Sequence, residues 1–79
     1  MNLTPIGPNQ TEVRLPNGTR VFFSYSTPVA AIMDGIGIGV RTDAYHSVTT
    51  SRHVNAWLRA NGYGDSKVTK PQAWFDGLS

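Results

Sequence analysis

The chain reads as an α+β domain: an antiparallel sheet of four to five strands followed by one three-turn helix and a short C-terminal helix. Three observations predict this. Gly and Pro punctuate the first half, and the runs between them are β-branched or aromatic. Pro16-Asn17-Gly18 separates two such runs, and Asn-Gly is the strongest short hairpin signal because both residues tolerate positive φ. Beyond residue 50 the apolar period lengthens, with Val54, Trp57 and Leu58 recurring at helical spacing.

The elements follow in order. Residues 11–15 alternate, with Val13 and Leu15 on one face and Glu12 and Arg14 on the other. Residues 19–26 hold Val21, Phe22, Phe23 and Tyr25, a composition suited to a pleated surface. Pro28 marks a strand start or an edge, because it cannot donate to a ladder. Residues 29–33 give a third strand and Asp34-Gly35 a turn. Residues 36–42 give a fourth, with Ile36, Ile38 and Val40 on one face and Gly37 and Gly39 on the other. A glycine face signals close packing against the backbone or a bend. Residues 45–48 are read as a fifth, short strand. The main helix is expected over 51–61, with Thr49 or Thr50 as N-cap and Asn61-Gly62 as its stop. Thr69-Lys70-Pro71 resembles a second helix start, followed by the apolar side of Trp74, Phe75 and Leu78. The expected core places Val13, Leu15, Val21, Phe23, Ile36, Ile38 and Val40 against Val54, Trp57 and Leu58.

Composition sets further bounds. The 79 residues make a single domain over 1–79, strand-rich over 1–48 and helical over 50–79. A chain this short buries only about 60% of the surface its unfolded form exposes, so self-association would help it. Without cysteine, disulfides and thiolate metal sites are excluded, and a reducing compartment is mildly favoured. The net charge is +2, with the cations scattered and never in a run, which argues against a dedicated nucleic-acid binder. No apolar stretch approaches the roughly 20 residues that span a bilayer. The first residues have neither the charge nor the apolar core of a signal peptide.

No catalytic motif is present: no nucleophile elbow, no phosphate-binding P-loop and no HExxH metal signature. The glycines of Gly35-Ile36-Gly37-Ile38-Gly39 alternate at the wrong spacing for a dinucleotide loop. His46 and His53, with Asp43, match no familiar zinc spacing. A non-enzymatic protein without metal or cofactor is therefore expected. The one chemically pointed feature is Ser47-Val48-Thr49-Thr50-Ser51-Arg52-His53. It places hydroxyls, a guanidinium and an imidazole at a helix start, where N–H groups are free and the dipole is positive. Such ends hold phosphates and carboxylates, and an arginine adds a forked contact. The expected ligand site is thus Thr49, Thr50, Ser51, Arg52 and His53, helped by Arg41 and Tyr45.

Tyr25-Ser26-Thr27-Pro28-Val29-Ala30-Ala31 and the segment from Ser47 through Arg52-His53-Val54 to Trp57-Leu58 resemble small bacteriophage-encoded proteins of uncharacterised function. The resemblance runs from about Leu3 to Leu58. It implies a phage gene product of the anti-defence type, made in the host bacterial cytoplasm. The expected function is binding or sequestration of an anionic, nucleotide-type immune signal, within a small homo-oligomer and away from membranes. The alternative is inhibition by direct binding to a host defence protein complex such as CRISPR-Cas, with Phe22, Tyr25, Trp74 and Phe75 as anchors.

Overall fold

A computed structural model describes residues 2–78. It contains a six-stranded sheet in sequential order: β1 (Asn2–Gly7), β2 (Gln10–Arg14), β3 (Thr19–Ser24), β4 (Thr27–Met33), β5 (Ile38–Thr42) and β6 (Thr69–Lys70). Helix α1 (Val48–Ala60) links β5 to β6, and the short helix α2 (Gln72–Asp76) follows. The first five strands form an antiparallel meander, whereas β6 joins β5 in parallel through Arg41↔Thr69 and Thr42↔Lys70. The parallel pair has a simple cause. Helix α1 carries the chain back along the sheet before it pairs again, as a crossover must.

The expected α+β class holds, but the sheet has six strands and is mixed instead of purely antiparallel. Strand β1 lacks alternation and contains Pro5 and Gly7, so its residues give little strand signal; pairing with β2 makes it a strand. At an edge Pro5 costs nothing in the ladder on its open side. The expected strand over 45–48 does not form. Residues 45–47 are irregular and Val48 already opens α1. The helix starts three residues early because Ser47, and neither Thr49 nor Thr50, is its cap: the Ser47 hydroxyl accepts from the Thr50 N–H at 3.0 Å.

The β2–β3 turn forms as expected, with Gly18 at φ +90 and Asn17 Oδ1 accepting from the Thr19 N–H. Register then decides which residues face α1. Glu12, Phe22, Ala30 and Arg41 are consecutive partners across four strands, and this row lies under the helix. Phe22, not Phe23, is the core aromatic: it is fully buried and stacks on Trp57 at 5.1 Å. Val54 and Leu58 join it with Ala30 and Ile32. The neighbouring row, Val13, Val21, Ala31 and Val40, belongs to the opposite face, where Phe75 of α2 covers Ala31 and Val40. Leu15 is only half-buried, Ile38 is exposed, and Ile36 lies in the turn before β5 at 66% exposure.

Two details set the contact with α1. The β3–β4 register shifts between Phe22 and Phe23, so Val29 is an extra residue and both Val29 and Ala30 reach the core under the helix. Gly39 lies beneath the end of α1, where a Cβ would come within 2.9 Å of Tyr63 Cβ. Of the glycine face expected on β5, close packing is thus the reason at Gly39, whereas Gly37 has φ +67 and belongs to the turn.

Candidate functional site

Helix α1 runs antiparallel to β3, and three contacts mark its course. Thr50 and His53 lie over Ser24, Trp57 over Phe22, and Asn61 over Arg20. At the helix start the hydroxyls form a network. Thr50 Oγ1 is 3.1 Å from Ser24 Oγ and 3.2 Å from Ser47 Oγ. His53 Nδ1 is 3.2 Å from Ser24 Oγ, and the His53 ring lies 6.5 Å from that of Tyr25. Thr50 is buried and tied to the sheet, so it anchors the helix instead of presenting itself to solvent. The N–H groups of Val48 and Thr49 still lack intrahelical acceptors, as at any helix start.

Arg41 is the residue around which the remaining polar groups collect. Its backbone N–H donates to Val68 O at 3.1 Å, and its Nη1 donates to Asn55 Oδ1 at 2.6 Å. Its Nε is buried and has no partner. A buried donor left unmatched costs about 1–3 kcal/mol, so this nitrogen calls for an acceptor. Beside it a cleft of about 70 Å³ is lined by Arg41, Thr42, His46, Thr50, Ser51 and Asn55. A second cleft, of about 230 Å³, continues past His46 and Thr50 to Ser24, Tyr25 and Thr27.

Of the expected site residues, the structure brings Arg41, Thr50 and Ser51 to one cleft. Thr49 and Arg52 are exposed and are not among its lining residues. His53 is half-buried and engaged with Ser24. Tyr45 is 75% exposed and lines neither cleft, although its chain neighbours Ala44 and His46 line the first. His46 was not among the expected ligand residues; its Nε2 lies 2.9 Å from Gln72 Oε1, which also accepts from Thr42 Oγ1. Asn55 was missed too. Its signal is its place one helical turn from Ser51, on the side of α1 that passes over Arg41.

Arg20 and Lys70 are engaged elsewhere. Both ion pairs among the described residues belong to Arg20, which meets Asp34 at 2.9 Å and Glu12 at 3.8 Å. The hydrogen bond from Arg20 holds the Asp34 carboxyl below its ordinary value of 3.8, and Asp34 in turn raises Arg20. Lys70 Nζ lies 5.8 Å from the centre of the Trp74 ring, within cation–π range. The anchors expected for a protein-binding surface do not survive as a set, because Phe22 and Phe75 are fully buried.

A family model described as a family of unknown function (DUF8033) matches residues 1–77, so the chain belongs to that family. No curated protein and no solved structure matches it.

Proposed function

We propose that this DUF8033 protein is a non-enzymatic binding protein for an anionic, nucleotide-type ligand, seated on the flank of α1 around Arg41. One observation carries the reading: the buried Arg41 Nε has no acceptor, and Arg41 lines a cleft that it shares with Thr42, Ser51 and Asn55. Arginine is suited to the role, since its fork matches phosphate oxygens and its charge persists at every working pH. Ser51 and the N–H groups opening α1 add neutral and dipolar attraction for the same charge. Tyr45, exposed and next in the chain to His46 of the cleft, offers a ring on which a base can stack.

Binding without catalysis is favoured by the state of the nearest pair of reactive groups. Ser24 and His53 are 3.2 Å apart, but Ser24 is 2% exposed and, among the described residues, no carboxylate bonds to His53. The biological setting comes from the resemblance of Tyr25–Ala31 and Ser47–Leu58 to small phage-encoded proteins. On that basis the ligand is a nucleotide signal of bacterial defence, and the protein sequesters it.

The test is calorimetry on the full chain against mononucleotides, cyclic dinucleotides, cyclic trinucleotides and ADP-ribose derivatives. At least one should bind, and Arg41→Lys should weaken it about tenfold or more, because lysine keeps the charge but loses the fork and the Nε donor. A flat panel, or full affinity in Arg41→Lys, would overturn the reading.

A further inference from the structure

Past Asn55, on the same flank of α1, a third cleft of about 390 Å³ opens between the helix and the β5–β6 pair. Arg41, Arg59 and Lys67 line it, together with the polar side chains of Asn55, Ser66 and Thr69. None of its lining residues is acidic. Asp65, the acid nearest in sequence, lines a different cleft beside Gly39 and Tyr63. Glu12 and Asp34 are committed to Arg20.

The fold brings the three cations to one groove. Arg41 is fixed by the Val68 carbonyl and by Asn55. The chain that returns from α1 passes close to Arg59: a Cβ on Gly64 would lie 3.3 Å from both Cα and Cβ of Arg59. That return also places Lys67. It is secured where Ser66 Oγ donates to Gly39 O, and where Tyr63 N–H donates to Leu58 O at 2.7 Å. Arg41 and Asn55 line both this cleft and the smaller one at the helix start, so the two clefts adjoin at these two residues.

We propose that this groove binds a diphosphate group, and that it is the phosphate end of the ligand site. The assignment rests on the anion-binding reading above and narrows its ligand to compounds with two linked phosphates. Three positive groups around one open space attract a multiply charged anion more strongly than a monoanion. Two guanidinium forks match phosphate oxygens in pairs, and Lys67 supplies a point charge. The hydroxyls of Ser66 and Thr69 and the Asn55 amide add uncharged contacts. The volume falls within the roughly 300–1,000 Å³ of small-molecule sites.

The experiment is titration calorimetry at low salt with inorganic pyrophosphate and inorganic phosphate, on the full chain and on Arg59→Ala and Lys67→Ala. Both substituted residues are exposed, so the variants should fold, and their melting temperatures check it. Pyrophosphate should bind about tenfold more tightly than phosphate, and each substitution should weaken it about tenfold, the scale of one charge-assisted contact. Equal affinity for the two anions, no pyrophosphate binding, or pyrophosphate binding untouched by both substitutions overturns the diphosphate assignment. The nucleotide panel separates this from the broader reading. Nucleotide binding that needs Arg41 but ignores Arg59 and Lys67 sinks the groove alone, whereas a flat panel sinks both.

Discussion

Gly39 shows how much one hydrogen atom in place of a methyl group decides. A Cβ there would meet Tyr63 Cβ at 2.9 Å, Tyr63 Cγ at 3.0 Å and Leu58 Cδ2 at 3.3 Å. Tyr63 Cβ sits next to the backbone and has little freedom to yield. Gly39→Ala should therefore destabilise the protein by about 1–3 kcal/mol, the usual cost of overpacking, read from the urea midpoint. Gly35 is the control, since a Cβ there meets nothing within 4 Å. Gly35→Ala should stay within about 0.5 kcal/mol. Equal effects from the two substitutions would mean that Gly39 is not a packing position. The same closeness brings Tyr63 onto the core under α1, and it fixes where the chain turns back towards Ser66 and Lys67.

At the scale of elements, α2 has five residues and cannot be stable alone. Phe75 attaches it to Ala31 and Val40, while Gln72 Nε2 donates to Pro28 O at 2.7 Å. Phe75→Ala should cost about 3–5 kcal/mol. That is much of what a chain of this length has, so Phe75→Leu serves as the milder variant, with a loss of about 1 kcal/mol. A loss below about 1 kcal/mol in Phe75→Ala, measured by chemical denaturation, would show that α2 is dispensable. Some elements were legible from residues alone. The β2–β3 hairpin was, because Asn17 and Gly18 specify their turn locally, and so was α1, because Val54, Trp57 and Leu58 recur at helical spacing. Strands β1 and β6 were not. Leu3-Thr4-Pro5-Ile6 has no alternation, and Thr69-Lys70 is too short to have any; their partners β2 and β5 supply the pairing. The choice of Phe23 over Phe22 failed for a related reason. With apolar residues at 21, 22 and 23, parity cannot tell which face α1 will cover.

Across the whole molecule, Arg20 joins distant parts. Its guanidinium meets both Asp34 oxygens at 2.9 Å and Asn61 Oδ1 at 2.6 Å, so it ties β3 to the turn after β4 and to the end of α1. The hydrogen bond from Arg20 lowers Asp34 in the folded state. A lowered carboxyl adds stability above its unfolded value of about 3.9 and loses it as the pH falls through the folded value. The melting temperature of the native protein should therefore exceed that of Asp34→Asn by a constant amount above about pH 5, and the gap should close below about pH 4. The gap will be small, because Asp34 is exposed and screened. A gap that persists unchanged to pH 2 would contradict the assignment. The candidate site was legible only in part on this scale. Thr50 and Ser51 were found from the hydroxyl-rich helix start, and Arg41 only as a guanidinium surface on which a base could stack. Arg59 and Lys67 share no spacing with Arg41, and they meet it only because the chain crosses over and pairs again in parallel.

That last pairing has a consequence for how the protein opens. Strand β6 holds its place through two residue partners, and the long excursion between Thr42 and Thr69 must be closed before they form. The easiest excursion away from the native state is thus the peeling of this short ribbon, which would carry one wall of the groove off with it. A guest gripped by Arg41 on one wall and Lys67 on the other would act as a clasp, felt first as slower amide exchange at the end of the sheet.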